Sequence, residues 1–145
     1  MKNIPGKATN YLVALIALGF GTIYLFRSSF MPYHSEAVSL SWDMVDGKFR
    51  ILILAIMRAA SGGYLVGAVV IAVLQYRFDK TGLKWIPPLI LISGSIVALT
   101  SLYATLIVRL NSPGRPPTLM AIVLLVMIIA GFFCNRGAKT EVRPF

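Results

Sequence analysis

Four long apolar runs constrain the fold of this chain more than any other feature. Three of them contain no charged residue, and the second is interrupted once, by Arg58. A helix crosses the hydrocarbon core of a bilayer with about 20 residues, within a range of about 17–25. The runs are continuous rather than alternating, so they predict helices and not the strands of a membrane barrel. We expect four membrane-spanning helices, at about residues 8–26, 51–76, 86–108 and 118–135.

The composition agrees with a membrane location. Of the 145 residues, 57% are hydrophobic and 13% are charged, whereas soluble domains average about 45–50% apolar and about 25% charged residues. A chain of this length cannot hide so much apolar surface in one water-soluble core. The sequence therefore predicts an all-α integral membrane four-helix bundle, one transmembrane domain over residues 1–145, with the lipid bilayer as its surroundings.

The basic residues predict the orientation of the chain. The net charge is +9, but most Lys and Arg lie at the ends of apolar runs, where they meet lipid headgroups, and this placement argues against nucleic-acid binding. Eight basic residues lie on the side of the termini and five on the other side, three of the five in residues 27–50. The positive-inside rule therefore predicts that both termini lie in the cytoplasm and that residues 27–50 form an outward loop.

The first apolar run has a second interpretation, as a cleaved signal peptide, because Lys2 and Lys7 form a basic start. No small-x-small cleavage site follows the end of the run at Arg27. Gly19 and Gly21 have that spacing but lie inside the run. We expect the first helix to be retained.

The outward loop is predicted to contain a short helical start before the second span. Pro32 is expected to break the first helix, and Ser41 is suited to cap a new one. From Trp42 a helix would run directly into the second span. Its first turns would lie in the membrane interface and bend near Gly47.

Few polar residues are candidates for binding a ligand. Tyr33, His34 and Glu36 form the densest polar group outside the membrane. The alternative is that they belong to a solvated or interfacial loop whose histidine caps a helix end. Arg58 is the only charge inside an apolar run. It either faces a cavity, where it would bind an anion, a lipid phosphate or a carboxylate, or it snorkels to the interface. The spans contain no Asp or Glu, which proton-coupled transporters commonly place there.

A stripe of small residues, Ala59, Gly63 and Gly67, is a candidate for helix packing. Small residues at this spacing let two helix backbones approach closely. The stripe serves either packing within the bundle, which we favour, or dimerisation. Gly21 on the first span and Gly94 on the third offer matching surfaces.

No catalytic constellation is visible. Cys134 is the only cysteine and lies at the end of an apolar run, which is typical of a small apolar residue rather than of a reactive thiol. The sequence has no pattern of metal ligands, no nucleophile with a base and no phosphate-binding glycine loop. We expect no catalytic residue, no metal and no cofactor, and hence no enzymatic activity.

The run from Phe30-Met31-Pro32-Tyr33-His34 through Trp42 to Gly62-Gly63 resembles a group of small uncharacterised bacterial membrane proteins. The resemblance covers most of the chain and implies four helices, with an MPYH-like segment after the first span. It also implies a bacterial inner membrane and transfers no activity.

Two functions are left open by the sequence. The first is an accessory or scaffold protein that packs with itself as a homo-oligomer or with the helices of a membrane-protein partner. The second is transport or binding of a small anion or lipid by Arg58 together with Tyr33, His34 and Glu36.

Overall fold

A computed structural model describes residues 4–137 and shows an all-α protein in this range. Its elements are helices α1 to α5 and one short 3-10 turn: α1 (Ile4–Phe26), α2 (Pro32–Val38), the turn Trp42–Met44, α3 (Gly47–Thr81), α4 (Ile86–Asn111) and α5 (Thr118–Arg136). Helices α1, α3, α4 and α5 are each long and apolar enough to cross a membrane. The prediction of a multi-pass, all-α membrane protein is confirmed.

The four long helices form a closed ring. Helix α1 packs against α3 and α5, and α4 packs against the same two helices. The first residues of α1 lie beside the last turns of α3 and α5, because Asn10 contacts Gln75 and Gln75 contacts Asn135. The helices therefore run alternately up and down, and we call the end that holds Asn10 the terminal end of the bundle.

One glycine lies in each of the four helix contacts. A Cβ atom at any of them would collide with the neighbouring helix, so these positions need a residue without a side chain. The pairs are Gly21 with Leu65 (α1 and α3), Gly67 with Val97 (α3 and α4), Gly94 with Ile128 (α4 and α5), and Gly131 with Asn10 (α5 and α1). Gly21, Gly67 and Gly94 thus lie where two helices approach each other closely.

The outer surface of the bundle is apolar on all four long helices. Leu15, Val66, Ile96 and Val126 are examples of large apolar side chains that the bundle leaves exposed. Contiguous exposure on this scale is unfavourable in water and favourable in a lipid environment. The lipid bilayer therefore accounts for the surface that the small core leaves uncovered.

Helix α3 is longer than its apolar run. It continues through residues 77–81 and ends at Gly82, whose φ of 64° is left-handed and whose N–H donates to the Phe78 carbonyl at 2.8 Å. The second span, predicted to end at residue 76, therefore continues as a helix for five more residues. The spanning helix consequently carries one carboxylate, Asp79, in its last turn.

Residues 27–50 fold differently from the prediction of one continuous helix from Trp42. Pro32 begins helix α2 instead of breaking α1, which has already ended at Phe26. After the 3-10 turn the backbone is extended at Val45, and Asp46 caps α3 by accepting from the Lys48 N–H at 2.9 Å. Because Asp46 begins a new helix, the 3-10 turn and the second span are separate elements.

Candidate functional site

Helix α2 and the 3-10 turn form a cap at the end of the bundle opposite the terminal end, and aromatic contacts hold this cap together. The ring centroids of Phe30 and Trp42 are 4.9 Å apart, and those of Tyr33 and His34 are 4.3 Å apart. Arg50 of α3 donates to the Val45 carbonyl at 2.7 Å and lies over the Trp42 ring at 5.8 Å. These contacts hold the cap against the start of α3.

His34 is a structural part of this cap. Its Nδ1 accepts a hydrogen bond from the Met31 N–H at 3.3 Å, so the imidazole caps the first turn of α2. Burial, and next the cation of Arg27, hold the pKa of His34 below its ordinary value. The uncharged ring is the form that accepts this bond, so both effects favour the capping state.

Tyr33 and Glu36 connect the cap to other parts of the chain. The Tyr33 hydroxyl is hydrogen-bonded to the hydroxyl of Tyr24 on α1, and burial raises the pKa of Tyr33 above its ordinary value. Glu36 accepts from the Arg115 N–H at 3.0 Å. A Cβ at Gly114 would lie 2.7 Å from the Tyr33 carbonyl oxygen. The second outer loop, residues 112–117 between α4 and α5, thus packs directly against α2.

A groove of about 490 Å³ lies between this cap and helices α3 and α4. Its lining is mostly apolar, with Phe30, Met44, Met57 and Val108 among the contributing residues and His34 as one of its polar members. Arg58 does not line it. Of the four predicted ligand-binding residues, the structure brings Tyr33, His34 and Glu36 together on α2, and it places Arg58 outside that group.

Arg58 lies on the outer face of α3. Its side chain is exposed, and it makes no hydrogen bond or ion pair with any residue between 4 and 137. Met57, the preceding residue, is 3% exposed, so these two neighbouring side chains lie on the inner and outer faces of α3. The bundle itself provides no partner for this charge.

The three predicted packing residues fall in two environments. A Cβ at Gly67 would lie 2.7 Å from Val97 Cγ2, so Gly67 packs against α4. Ala59 is exposed, and a Cβ at Gly63 would meet nothing within 4 Å. Ala59 and Gly63 are thus on the surface of the bundle, beside Arg58.

The most buried polar cluster lies at the terminal end, and sequence reasoning did not single it out. Asn10 and Gln75 are 0% exposed and Asn135 is 2% exposed. Gln75 Oε1 accepts from Asn10 Nδ2 at 2.7 Å and from Asn135 Nδ2 at 2.8 Å, while Gln75 Nε2 donates to Asp79 at 2.8 Å. This network joins α1, α3 and α5 by hydrogen bonds in the membrane-spanning part of the fold.

A signal for this network is present in the sequence. Each of its three amide residues falls within a predicted span, near the same end of the bundle. Amide side chains in a spanning helix require partners, since lipid offers none. Asn10 Oδ1 still has no hydrogen-bond partner among residues 4–137, although it is buried.

Asp79 connects the buried network to the surface. Its Oδ2 lies 3.3 Å from Lys7 Nζ and 3.5 Å from the Tyr11 hydroxyl, while its Oδ1 accepts from Gln75. The Lys7 ammonium also lies 5.9 Å from the centroid of the Tyr11 ring. The start of α1 is therefore held to the end of α3 by one carboxylate with three partners.

Comparisons of the chain with protein-family models, with curated proteins and with solved structures found no match. Within residues 4–137 there is no cluster of three or more His, Cys, Asp or Glu side chains that could hold a metal ion.

Proposed function

We propose that this protein is a non-catalytic accessory or scaffold component of the membrane, and that it packs through helix α3 with a second copy or with a helix of a partner membrane protein. The observation that carries the proposal is the outer face of α3. Arg58, Ala59, Gly62, Gly63 and Val66 are all exposed there. We call this set the open face of α3.

The shape of the open face suits another helix. Neither Gly62 nor Gly63 has any atom within 4 Å of the position that a Cβ would occupy, so no part of this bundle uses their small size. The four glycines inside the bundle all face a neighbouring helix. Small residues at a lipid-facing position are typical of contacts in which two backbones approach closely.

The charge on the open face supports the same proposal. Arg58 lies 11 residues after Gly47, about 16 Å along α3. Insertion scales assign a cost of about 2.5–3.5 kcal/mol to a central arginine in a span. A polar or acidic group on a partner helix would offset that cost, and no residue between 4 and 137 does so.

The other function considered from the sequence, transport or binding of a small anion or lipid, has less support from the geometry. It requires Arg58 to act together with Tyr33, His34 and Glu36. The groove between the cap and helices α3 and α4 is lined by His34 and not by Arg58. The open face accounts for Arg58 without a bound solute.

Cysteine cross-linking in native membranes tests the proposal. In a Cys134→Ser background, Gly62→Cys is expected to give one discrete adduct, either a dimer of twice 15.9 kDa or a complex with one partner. Gly19→Cys is the matched control, because Gly19 is also exposed with nothing within 4 Å but lies on α1. Adding Gly63→Ile should abolish the adduct without unfolding the bundle. Absence of an adduct at Gly62 would show that the open face contacts lipid only. Equal adducts at both sites would show non-selective collisions, and either result would overturn the proposal.

We also propose a bacterial inner-membrane location with the terminal end in the cytoplasm. The orientation is supported by the excess of Lys and Arg in the sequence segments that flank the spans on the side of the termini. The test uses exposed positions in the Cys134→Ser background. A membrane-impermeant thiol reagent added to intact cells should label Ser41→Cys and Asn111→Cys but not Lys80→Cys. The opposite pattern would reverse the orientation.

A further inference from the structure

A second cavity lies at the terminal end of the bundle, apart from the open face of α3. Its volume is about 540 Å³, within the range of about 300–1,000 Å³ that is usual for ligand pockets. The end of α3, the turn after it, the start of α4 and the end of α5 surround it. We call this cavity the basic cleft, and its lining includes Phe78, Lys84, Pro87, Phe132, Asn135 and Arg136.

The basic cleft carries positive charge that nothing in the described chain neutralises. Lys84 and Arg136 are both exposed, and neither forms a hydrogen bond or ion pair with a residue between 4 and 137. Among residues 4–137, no carboxylate lines the cavity. Asp79 lies at the same end of the bundle, but its two oxygens are already engaged by Lys7, Tyr11 and Gln75. An anionic ligand is therefore the complementary one.

The other wall of the basic cleft is apolar. Phe78 and Pro87 are buried, and Phe132 is partly buried beside them. A small inorganic anion would contact only the two cationic side chains. A phospholipid would contact both walls, with its phosphate beside the cations and its glycerol and upper acyl chains along the apolar wall.

The position of the cleft favours a lipid as well. Apolar helices end here, and the neighbouring Trp85 is 55% exposed, as is typical of a tryptophan at the membrane–water interface. Basic pockets between the ends of spanning helices are suited to acidic lipid headgroups. We propose that the basic cleft binds the phosphate headgroup of an anionic phospholipid from the adjacent leaflet.

Native mass spectrometry of the whole chain in neutral detergent tests this site. The probes are phosphatidylglycerol and phosphatidylcholine with identical acyl chains. The wild-type protein should bind phosphatidylglycerol more tightly, and Lys84→Gln/Arg136→Gln should lower that affinity roughly 30-fold and abolish the preference between the two lipids. Both side chains are exposed, so the melting temperature in the neutral detergent should not change.

The matched control is Arg77→Gln/Lys80→Gln. These residues lie on the last turns of α3 and are exposed at the same end of the bundle, but they do not line the cleft. The control removes the same net charge, so it should keep the preference for phosphatidylglycerol. An equal loss in the control would show diffuse surface attraction and overturn the proposal.

Inorganic phosphate separates the two sources of the anion. Phosphate that binds the wild-type protein as tightly as phosphatidylglycerol does, with the same dependence on Lys84 and Arg136, would identify a site for free anions and overturn the lipid assignment. A wild-type protein with no preference between the two lipids would overturn it too. If the double variant fails to fold, Lys84→Gln alone is measured, and it should lower the affinity for phosphatidylglycerol roughly 5-fold.

Discussion

Replacing Gln75 with leucine is the sharpest test of the buried network at the terminal end. Leucine has nearly the same volume and no polar atoms. The change removes the hydrogen bonds from Asn10 and Asn135 to Gln75 and the bond from Gln75 to Asp79. The first two are contacts between different helices.

The expected loss of stability follows from these bonds. An interhelical hydrogen bond in a membrane protein contributes about 0.6 kcal/mol on average and about 1.7 kcal/mol at most, which gives roughly 1.2–3.4 kcal/mol for two. Removal of the shared acceptor also takes a partner from the buried Asn10 amide, and an unpaired buried donor costs about 1–3 kcal/mol. We expect the free energy of unfolding to fall by about 1–4 kcal/mol. This is less than the two losses added together, because the packing of the leucine side chain offsets part of them.

The assay is denaturant unfolding of the purified protein in neutral detergent. Thr22→Val is the control, because Thr22 is exposed and its hydroxyl bonds only to the Leu18 carbonyl of its own helix, so its loss should stay below about 0.5 kcal/mol. The double variant Asn10→Leu/Gln75→Leu should lose less than the two single variants added together, because it leaves no unpaired amide on Asn10. A Gln75→Leu protein as stable as the control would refute the reasoning.

Two further predictions concern single contacts. Gly21→Ala should destabilise the bundle by about 1–3 kcal/mol, because its Cβ would lie 2.8 Å from Leu65 Cγ and 3.2 Å from the Leu65 backbone nitrogen. Gly19→Ala, two residues earlier on an open surface, should be neutral or stabilising in the same unfolding assay. The pKa of His34 is lowered in the folded state, so the unfolded state binds more protons below pH 6.5 and stability should fall as the pH is lowered from there towards the folded pKa. His34→Gln should flatten that part of the stability–pH curve, and an unchanged curve would contradict the capping role.

The spans were predictable because each depends on local composition. Helices α4 and α5 begin and end within about three residues of the prediction, since proline-rich and basic segments mark their ends. Helix α3 was underestimated at both ends. Its polar last turn, residues 77–81, stays helical until Gly82, whose left-handed conformation ends the helix. Hydropathy marks only the apolar part of a helix, so it misses polar residues that continue it.

The outer cap was less predictable because distant residues decide it. The bond from the Arg115 N–H to Glu36 joins residues 79 positions apart, and Gly114 fits against the Tyr33 carbonyl. Sequence reasoning recognised Tyr33, His34 and Glu36 as a group, and it raised the possibility of a histidine cap that the structure shows. It had no means of placing the second outer loop on α2.

The sequence by itself determined that the chain is an all-α membrane protein with four spans, because hydropathy is a local property that adds along the chain. Only the tertiary structure decided which polar residues face inward. Arg58 and Gln75 both lie on α3, and the bundle leaves the first exposed and buries the second completely. The reason is that the rotation of a helix about its long axis decides which of its side chains face the interior. That rotation depends on the close contacts at the glycines, and each of these contacts involves two helices at once.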